Sequence, residues 1–189
     1  MTERTWIHGF VSRLARVLAR RALPHGQIEV IDGFRLPYTA EVHAYPKSGS
    51  PQVRTSRYQT DLVVFDILGD GTRIPRVVVE GKLGSVSSHD GITYSAKAAT
   101  HKHVHPYLRY GILIGKHNAI PARLVRHGAH FDFMATWAKA RATRTEWRRF
   151  CLLISDELDA SRALQALLAT NRSKVRRKYT LLHRPLKLT

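Results

Sequence analysis

The sequence predicts a single α/β domain on three observations. Its 189 residues, 43% of them hydrophobic, are enough for one domain with a substantial core and few for two. Two apolar, β-branched runs, at 62–68 and 74–79, flank the turn residues Gly69, Asp70 and Gly71, which is the pattern of an antiparallel strand pair. Helices are predicted near the start, the middle and the end of the chain. We therefore expect strands and helices to share one core.

The chain before this hairpin is predicted to begin with a helix over residues 3–22. Its apolar residues recur every three or four positions, at Trp6, Ile7, Phe10, Val11, Leu14, Val17 and Leu18. The run Pro24-His25-Gly26 ends this helix, and Tyr38 to Tyr45 is predicted as the first core strand. Residues 44–57 contain Pro46, Gly49 and Pro51 among basic residues, so they are predicted to form an exposed basic loop.

The chain after the hairpin is predicted to alternate helices with strands. A helix over 90–105 is capped by the polar run 87–90 and stopped by Pro106. A strand is predicted at 110–115 and a short helix at 120–127, whereas 131–137 suits either. Residues 149–155 are predicted as a strand, since they are largely apolar, and 156–170 as a final helix with Ser155 as its N-cap. The predicted parts are an N-terminal helix (1–27), a core (28–155) and a C-terminal helix with a basic tail (156–189).

Three charged residues mark the predicted hairpin as a candidate site. The midpoint between Asp61 and Glu80 falls inside the turn, so the two acids are expected to lie opposite each other, with Cβ atoms roughly 4.5–5.5 Å apart. Lys82 follows Glu80 by two residues and therefore shares its face of the strand. Two carboxylates this close repel unless a cation neutralises them, and a hard oxygen site suits Mg²⁺ better than Zn²⁺.

The plain alternative is a surface hairpin with scattered charges. It fits poorly, because 62–65 and 77–79 are apolar at every position, as expected of strands buried on both faces. Charges at the ends of such strands are costly to bury and are more often functional than decorative. Asp66 is expected on the face opposite Asp61, and Asp70 in the turn, so neither is a favoured ligand.

Composition indicates a polyanionic partner. The chain carries 31 Lys+Arg against 14 Asp+Glu, a formal net charge of +17 that favours nucleic acid. A ribosomal or chromatin-like protein, or a host with high arginine usage, would show the same charge. The single cysteine, Cys151, is expected to be a buried strand residue, which indicates a reducing compartment. Without a membrane-spanning apolar segment or a signal-peptide block, a cytoplasmic protein with no membrane partner is expected.

Asp61, a gap of eighteen residues and then Glu80-Gly81-Lys82 resemble the PD-(D/E)xK signature of restriction-endonuclease-like nucleases. Thr60-Asp61 stands where the signature has Pro-Asp. The resemblance spans about 28–155. It implies the family's core, in which a mixed central β-sheet is flanked by helices and the metal site lies at one end of the sheet.

This resemblance implies a Mg²⁺-dependent endonuclease that cuts double-stranded DNA, similar to the small homodimeric restriction enzymes, and leaves 5′-phosphate and 3′-hydroxyl ends. Asp61, Glu80 and the carbonyl of Gly81 are expected to hold the ion, and Lys82 to orient the attacking water or stabilise the pentacovalent charge. The family often has a third acidic ligand. Glu41 is the preferred candidate for it, and Glu29 the second.

DNA contacts are expected from the helix at 90–105 and from the basic loop. In similar nucleases a polar residue on this helix supports the catalytic lysine or contacts DNA, and Lys97 is the candidate for that role. The full set of expected DNA-binding residues is Tyr94, Lys97, Lys102, Arg54 and Arg57. His101 and His105, four residues apart, raise a zinc alternative, but no third ligand lies nearby in the sequence.

Two other basic segments are expected to contact phosphates: 141–149 around Trp147, and the tail at 171–187. A homodimer is expected because two identical sites related by a two-fold axis are the simplest way to cut two antiparallel strands. Two alternatives to a restriction-type enzyme stay open. One is a repair or recombination nuclease that selects DNA by its shape, and the other is a nucleic-acid-binding protein without catalytic activity.

Overall fold

A five-stranded mixed β-sheet forms the centre of the protein, in a computed structural model that describes residues 1–170. The spatial order of its strands is β1, β4, β5, β6 and β7, with β1 at Gln27–Asp32, β4 at Leu62–Ile67, β5 at Arg73–Leu83, β6 at Arg109–Gly115 and β7 at Phe133–Trp137. The pairs β1–β4 and β4–β5 are antiparallel, whereas β5–β6 and β6–β7 are parallel. The predicted α/β fold with a mixed sheet is thereby confirmed.

The predicted hairpin and its register are confirmed at the end where the acids lie. Leu62 pairs with Val79 and Val64 with Val77, so the next pair outward is Asp61 and Glu80. A β-bulge between Val64 and Phe65 shifts the register by one residue toward the turn. At the turn, Gly71 takes a positive φ of 82° that glycine adopts without steric cost.

Helices cover both faces of the sheet, in agreement with the prediction. Helices α1 (Glu3–Leu18) and α4 (Arg144–Ala169) pack on one face, over a core that includes Leu62, Val79 and Leu113. Helices α2 (Ser88–Val104) and α3 (Ala122–His127) pack on the other, over two clusters that include Val78 and Ile112. A short 3₁₀ turn, Ala19–Arg21, follows α1. Because both faces are covered, the central strands are apolar throughout.

Strands β2 (Arg35–Ala44) and β3 (Gln52–Gln59) form a separate two-stranded sheet, which we call the ribbon. The prediction that Tyr38 to Tyr45 is a core strand is therefore wrong, since this segment pairs with β3 and not with the central sheet. The prediction of a loop at 44–57 is also wrong beyond the turn. Pro46, Gly49 and Pro51 do lie in the turn at 45–51, but β3 begins at Gln52.

Helix α4 corrects the prediction for the C-terminal part of the core. Residues 149–155 were expected to form a strand, and they lie inside this 26-residue helix. Its buried residues recur at helical spacing, at Trp147, Phe150, Cys151, Ile154, Glu157, Leu158 and Ser161. The helix begins at the capping box of Thr143 and Glu146, so the N-cap is Thr143 and not Ser155. Cys151 is buried as expected, in a helix.

A buried ion cluster ties α4 to the hairpin on the face away from Glu80. The Asp66 carboxylate, 1% exposed, accepts from Nε of Arg76 at 2.7 Å and from Arg162 of α4 at 2.6 and 3.0 Å. Asp66 thus points to the opposite side of its strand from Asp61, as predicted.

No helix within residues 1–170 is long and apolar enough to cross a membrane.

We predict that Asp66→Ala lowers the free energy of unfolding by about 3–5 kcal/mol, because it leaves the buried guanidinium of Arg76 without its carboxylate. Denaturant unfolding followed by circular dichroism measures this loss. The matched control is Asp159→Ala, whose carboxylate also contacts Arg162 but has a side chain 46% exposed. We expect the control to lose less than about 1 kcal/mol. Equal losses in the two variants would contradict the assignment of a structural role to the buried cluster.

Candidate active site

The ends of β4 and β5 bring Asp61, Glu80 and Lys82 to one side of the sheet. Glu80 and Lys82 alternate with Gly81 along β5, so both face α2 while Gly81 faces α1. A Cβ at Gly81 would lie 2.6 Å from Cδ1 of Ile7 in α1, which only a glycine avoids without a shift. The close approach of the Ile7 side chain therefore favours a glycine between the two charged residues.

The carboxyl groups of Asp61 and Glu80 are near enough for the charge of Glu80 to affect Asp61, and each is also held by the protein. Oδ2 of Asp61 accepts from the backbone N–H of Gly81 at 2.8 Å. Oε1 of Glu80 accepts from the Tyr110 hydroxyl and lies 2.9 Å from the ammonium of Lys97. Glu80 is 1% exposed, so its negative charge is stabilised by these two donors and not by bulk water.

The environment of Asp61 favours its protonated form. Burial, followed by the neighbouring negative charge of Glu80, raises the pKa of Asp61 to about 6. The hydrogen bond from Gly81 and the charge of Lys97 act in the opposite direction and are weaker. The charge of Lys97 therefore compensates the burial of Asp61 and its repulsion by Glu80 only in part.

Lys82 lies beside the acid pair within a second pair of carboxylates. Its Nζ lies 3.6 Å from Glu3 at the start of α1 and 3.3 Å from Asp90 in the first turn of α2. Burial lowers the pKa of Lys82, but the two carboxylates together outweigh it, and the net pKa is raised. Lys82 therefore stays a cation at neutral pH.

Helix α2 presents Tyr94 and Lys97 to the acid pair. Besides its contact with Glu80, Nζ of Lys97 donates to the carbonyl of Gln59 at 3.3 Å and lies 5.5 Å from the ring centre of Tyr94. Burial, and then the charges of Glu80 and Asp61, raise the pKa of Tyr94, which keeps its phenol protonated. Of the five expected DNA-binding residues, these two lie in the site.

Tyr110 comes to the site from β6. It pairs with Val78 in the parallel register, which places its ring on the same face as Glu80. The ring stacks on His101 of α2 with centres 5.6 Å apart, and burial followed by the charge of Glu80 raises the pKa of its hydroxyl well above the usual value. The hydroxyl is therefore a permanent donor that fixes the orientation of Glu80.

The cluster is negative in a strongly positive chain. The four carboxylates of Asp61, Glu80, Glu3 and Asp90 (−4) and the two ammonium groups of Lys82 and Lys97 (+2) leave a formal charge of −2, against +17 for the whole chain. A single divalent cation would balance this charge.

Asp61 and Glu80 are too few ligands for a metal that is held by protein side chains alone. They suit Mg²⁺, which takes most of its ligands from water and substrate. Within residues 1–170, no group of three or more His, Cys, Asp or Glu side chains is arranged to hold a metal ion. Mg²⁺ is usually bound by one or two carboxylates, with waters and substrate phosphate as the remaining ligands. Asp61 and Glu80 supply the two carboxylates, and the carbonyl of Gly81 lies next to them in the chain.

The structure does not bring the expected third acid to this pair. Glu41 lies on the ribbon, where its carboxylate is 3.2 Å from His43 and its strand partner is Arg54. Glu29 lies on the edge strand β1 and forms an ion pair with Arg73 at 3.0 Å. The additional acids near the site are instead Glu3 and Asp90, which contact Lys82.

The other expected DNA-binding residues lie outside the site. Nζ of Lys102 is 2.8 Å from Asp132 and donates to the carbonyl of His130 at 2.7 Å, so its charge is balanced within the protein. Arg54 and Arg57 are exposed on the ribbon. Arg144, Arg148 and Arg149 lie together on the surface of α4, and the tail at 171–187 lies outside the described residues.

The two histidines considered for zinc serve the packing of α2. His101 is fully buried, and its Nδ1 contacts the carbonyl of Pro37 at 2.9 Å. Nδ1 of His105 contacts the carbonyl of His101 at 3.3 Å. Burial lowers the pKa of both, to about 4 for His101, so both are neutral at physiological pH.

Sequence reasoning missed Glu3, Asp90 and Tyr110. Asp90 had a signal, since it completes the capping box with Ser87 and its place in the first turn of α2 is fixed by that motif. Glu3 and Tyr110 had none, because each reaches the site through the packing of a distant element.

A comparison with protein-family models gives no match for this chain, and no curated protein matches it.

We predict that Asp61→Asn stabilises the metal-free protein in a pH-dependent way. The folded-state pKa of Asp61, about 6, lies above its ordinary value of 3.8, so ionisation of Asp61 destabilises the fold as the pH rises through this window. The variant avoids this loss. Relative to the wild type, its free energy of unfolding is expected to increase between pH 4 and 7 by up to roughly 3 kcal/mol.

Denaturant unfolding at a series of pH values in a chelating buffer measures this difference. The control is Asp70→Asn, because hydrogen bonds from Thr72 lower the pKa of Asp70. Its carboxylate stabilises the fold once ionised, so this variant should lose stability relative to the wild type as the pH rises. A constant difference between Asp61→Asn and the wild type from pH 4 to 7 would refute the raised pKa of Asp61.

Proposed function

We propose that the protein is a Mg²⁺-dependent endonuclease that hydrolyses phosphodiester bonds of double-stranded DNA, and that it is a distant member of the PD-(D/E)xK nucleases. The observation that carries the proposal is the register of β4 and β5, which places Asp61 opposite Glu80, with Lys82 on the same face of β5 as Glu80. The charge of the whole chain, +17, supports a polyanionic substrate.

Asp61, Glu80 and the carbonyl of Gly81 would hold the ion. Mg²⁺ bound there would polarise the scissile phosphate and acidify a water molecule. The protein fixes both carboxylates before substrate arrives, Asp61 through the N–H of Gly81 and Glu80 through Tyr110 and Lys97. This preorganisation reduces the free energy needed to assemble the site during the reaction.

Hydrolysis requires a new bond from water oxygen to phosphorus, loss of a proton by that water, cleavage of the bond between phosphorus and O3′, and gain of a proton by the departing O3′. Lys82 is suited to stabilise the negative charge that builds up on the phosphate, because its raised pKa keeps it an ammonium. The same raised pKa argues against Lys82 as the base that takes a proton from water. We assign Lys97 to neutralise Glu80 and to limit its movement.

Cleavage of both strands would require two such sites. We propose a homodimer in which a two-fold axis relates the sites, since the strands of duplex DNA are antiparallel. Linear product from a supercoiled plasmid at the earliest times supports this arrangement, whereas nicked circles alone support a monomer that cuts one strand.

We predict that Asp61→Asn and Lys82→Met each reduce plasmid cleavage by about 10²- to 10³-fold, because the first removes a ligand of the ion and the second removes the cation that stabilises the charge on the phosphate. Agarose gels of plasmid incubated with protein and Mg²⁺ measure cleavage, with EDTA as the blank. DNA affinity, measured by fluorescence anisotropy in EDTA, is expected to change by less than about threefold. The control variant is Lys139→Met, which removes the same charge from an exposed position.

The outcomes of this assay separate the candidate functions. Discrete fragments support a site-specific enzyme, and smearing or nicking supports a nuclease that selects DNA by its shape. If the wild-type protein retards the plasmid on the gel but leaves it intact at every Mg²⁺ concentration, the proposal is overturned and a DNA-binding protein is left. Cleavage by Asp61→Asn at the wild-type rate would overturn the assigned role of that residue.

We predict that Tyr110→Phe raises the Mg²⁺ concentration needed for half-maximal cleavage by about 10- to 100-fold, the usual effect of removing a group that orients a metal ligand. The cause is loss of the hydroxyl that holds Glu80. The matched control is Tyr107→Phe. Tyr107 precedes β6 by two residues, and in the described part of the chain its ring contacts Arg76 and not Glu80. A parallel Mg²⁺ dependence for both variants would contradict the positioning role.

A further inference from the structure

We propose that the ribbon enters the major groove of DNA bound at the acid pair. This inference rests on the proposed function and specifies how the substrate is held. The ribbon is unusual in this fold because its outer half is exposed on both faces, including the cross-strand pair Val42 and Val53 at 48% and 56% exposure. An isolated two-stranded sheet is marginally stable in water, so a partner that covers it would stabilise it.

The charge of the ribbon favours DNA as that partner. Residues 35–59 contain Arg35, Lys47, Arg54 and Arg57 (+4) and the single acid Glu41 (−1), which leaves +3. A second copy of the chain on the same surface would bring like charges together, whereas the phosphates that flank a groove complement them. DNA is therefore the occupant to which we commit.

The base of the ribbon is fixed next to the site. Strand β3 ends at Gln59, whose carbonyl binds Lys97, and Asp61 follows two residues later. Tyr38 and Tyr58 stack with ring centres 3.8 Å apart and both meet the edge of His101 in α2. DNA with a phosphate at Asp61 would consequently lie along an element whose direction is already set.

The dimensions of the ribbon suit the major groove. The eight residues of β3 span about 26 Å at the usual strand rise, and a two-stranded ribbon fits the groove width of about 12 Å. On β3, Arg57, Thr55 and Val53 share one face. Arginine reads guanine in this groove, and the methyl groups of threonine and valine can contact thymine. Arg54 lies on the other face and opposes Glu41.

The test compares two double variants that each remove two positive charges. The ribbon variant is Lys47→Ala with Arg57→Ala, and the control is Arg16→Ala with Arg20→Ala, at exposed positions on the opposite face of the central sheet. Fluorescence anisotropy with a labelled duplex in EDTA measures affinity without cleavage. We expect the ribbon variant to bind at least about tenfold more weakly than the control. The slope of log affinity against log salt concentration should be smaller by about 2 if both residues contact phosphates, and by about 1 if only Lys47 does.

Methylation interference identifies the groove. Dimethyl sulfate modifies N7 of guanine in the major groove and N3 of adenine in the minor groove. We expect guanine N7 methylation to weaken wild-type binding and to have less effect on the ribbon variant. Equal affinity of the two double variants, or interference from adenine N3 alone, would overturn the proposal. So would a ribbon variant that changes from dimer to monomer in sedimentation velocity while its monomer binds DNA like the control.

These results are independent of whether the protein cuts DNA. Ribbon-dependent, major-groove binding by a protein that leaves plasmid intact would refute the proposed nuclease and keep the ribbon as the binding element. If the ribbon variant cleaves DNA at the wild-type rate and binds it with unchanged affinity, the role of the ribbon is refuted and the proposed nuclease is not. Thermal unfolding of both double variants verifies that the substitutions, all at exposed positions, leave the fold intact.

Discussion

The antiparallel register of β4 and β5 is the constraint on which the site depends. It places the Asp61 and Glu80 carboxyl groups against each other at the end of two strands that are otherwise buried on both faces. Burial of like charges is unfavourable unless donors or cations compensate it. The protein supplies one backbone N–H, one phenol and one ammonium, and the raised pKa of Asp61 shows that this compensation is incomplete.

Helix α2 connects the acid pair with the ribbon. Asp90, Tyr94, Lys97 and His101 follow one another at three- and four-residue spacing, which places them along one side of the helix. Asp90 contacts Lys82, and Tyr94 lies near the acid pair. Lys97 binds Glu80, and His101 packs on Tyr110 and on the ribbon tyrosines. A shift of this helix along its axis would therefore disturb the acid pair and the base of the ribbon together.

The elements that the sequence predicted correctly are those whose pattern is local. The turn and the flanking apolar runs determine the hairpin and its register, and period two then determines that Glu80 and Lys82 share a face. The run from Phe150 to Ile154 was wrongly predicted as a strand, although Leu152 is 56% exposed and the burial period is helical. The capping box at Thr143 was the local signal for that helix.

The remaining errors have a different cause, since no local pattern encodes them. Both strands of the ribbon are exposed on both faces in their outer half, so they lack the alternation of apolar and polar residues that marks a strand. Glu3 lies far from Lys82 in the sequence, at the start of α1, and it reaches the site because α1 packs against Gly81. Tertiary packing of this kind is invisible to periodicity.

The distribution of charge separates binding from chemistry in the proposed function. A chain of net charge +17 attracts a polyanion whether or not a cation is bound, whereas the acid cluster, at −2, would repel a phosphate that approaches it. A divalent cation between Asp61 and Glu80 would reverse that repulsion at the one point where a phosphodiester has to make close contact. In the proposed function, cleavage would therefore depend on the metal, whereas affinity for DNA would not.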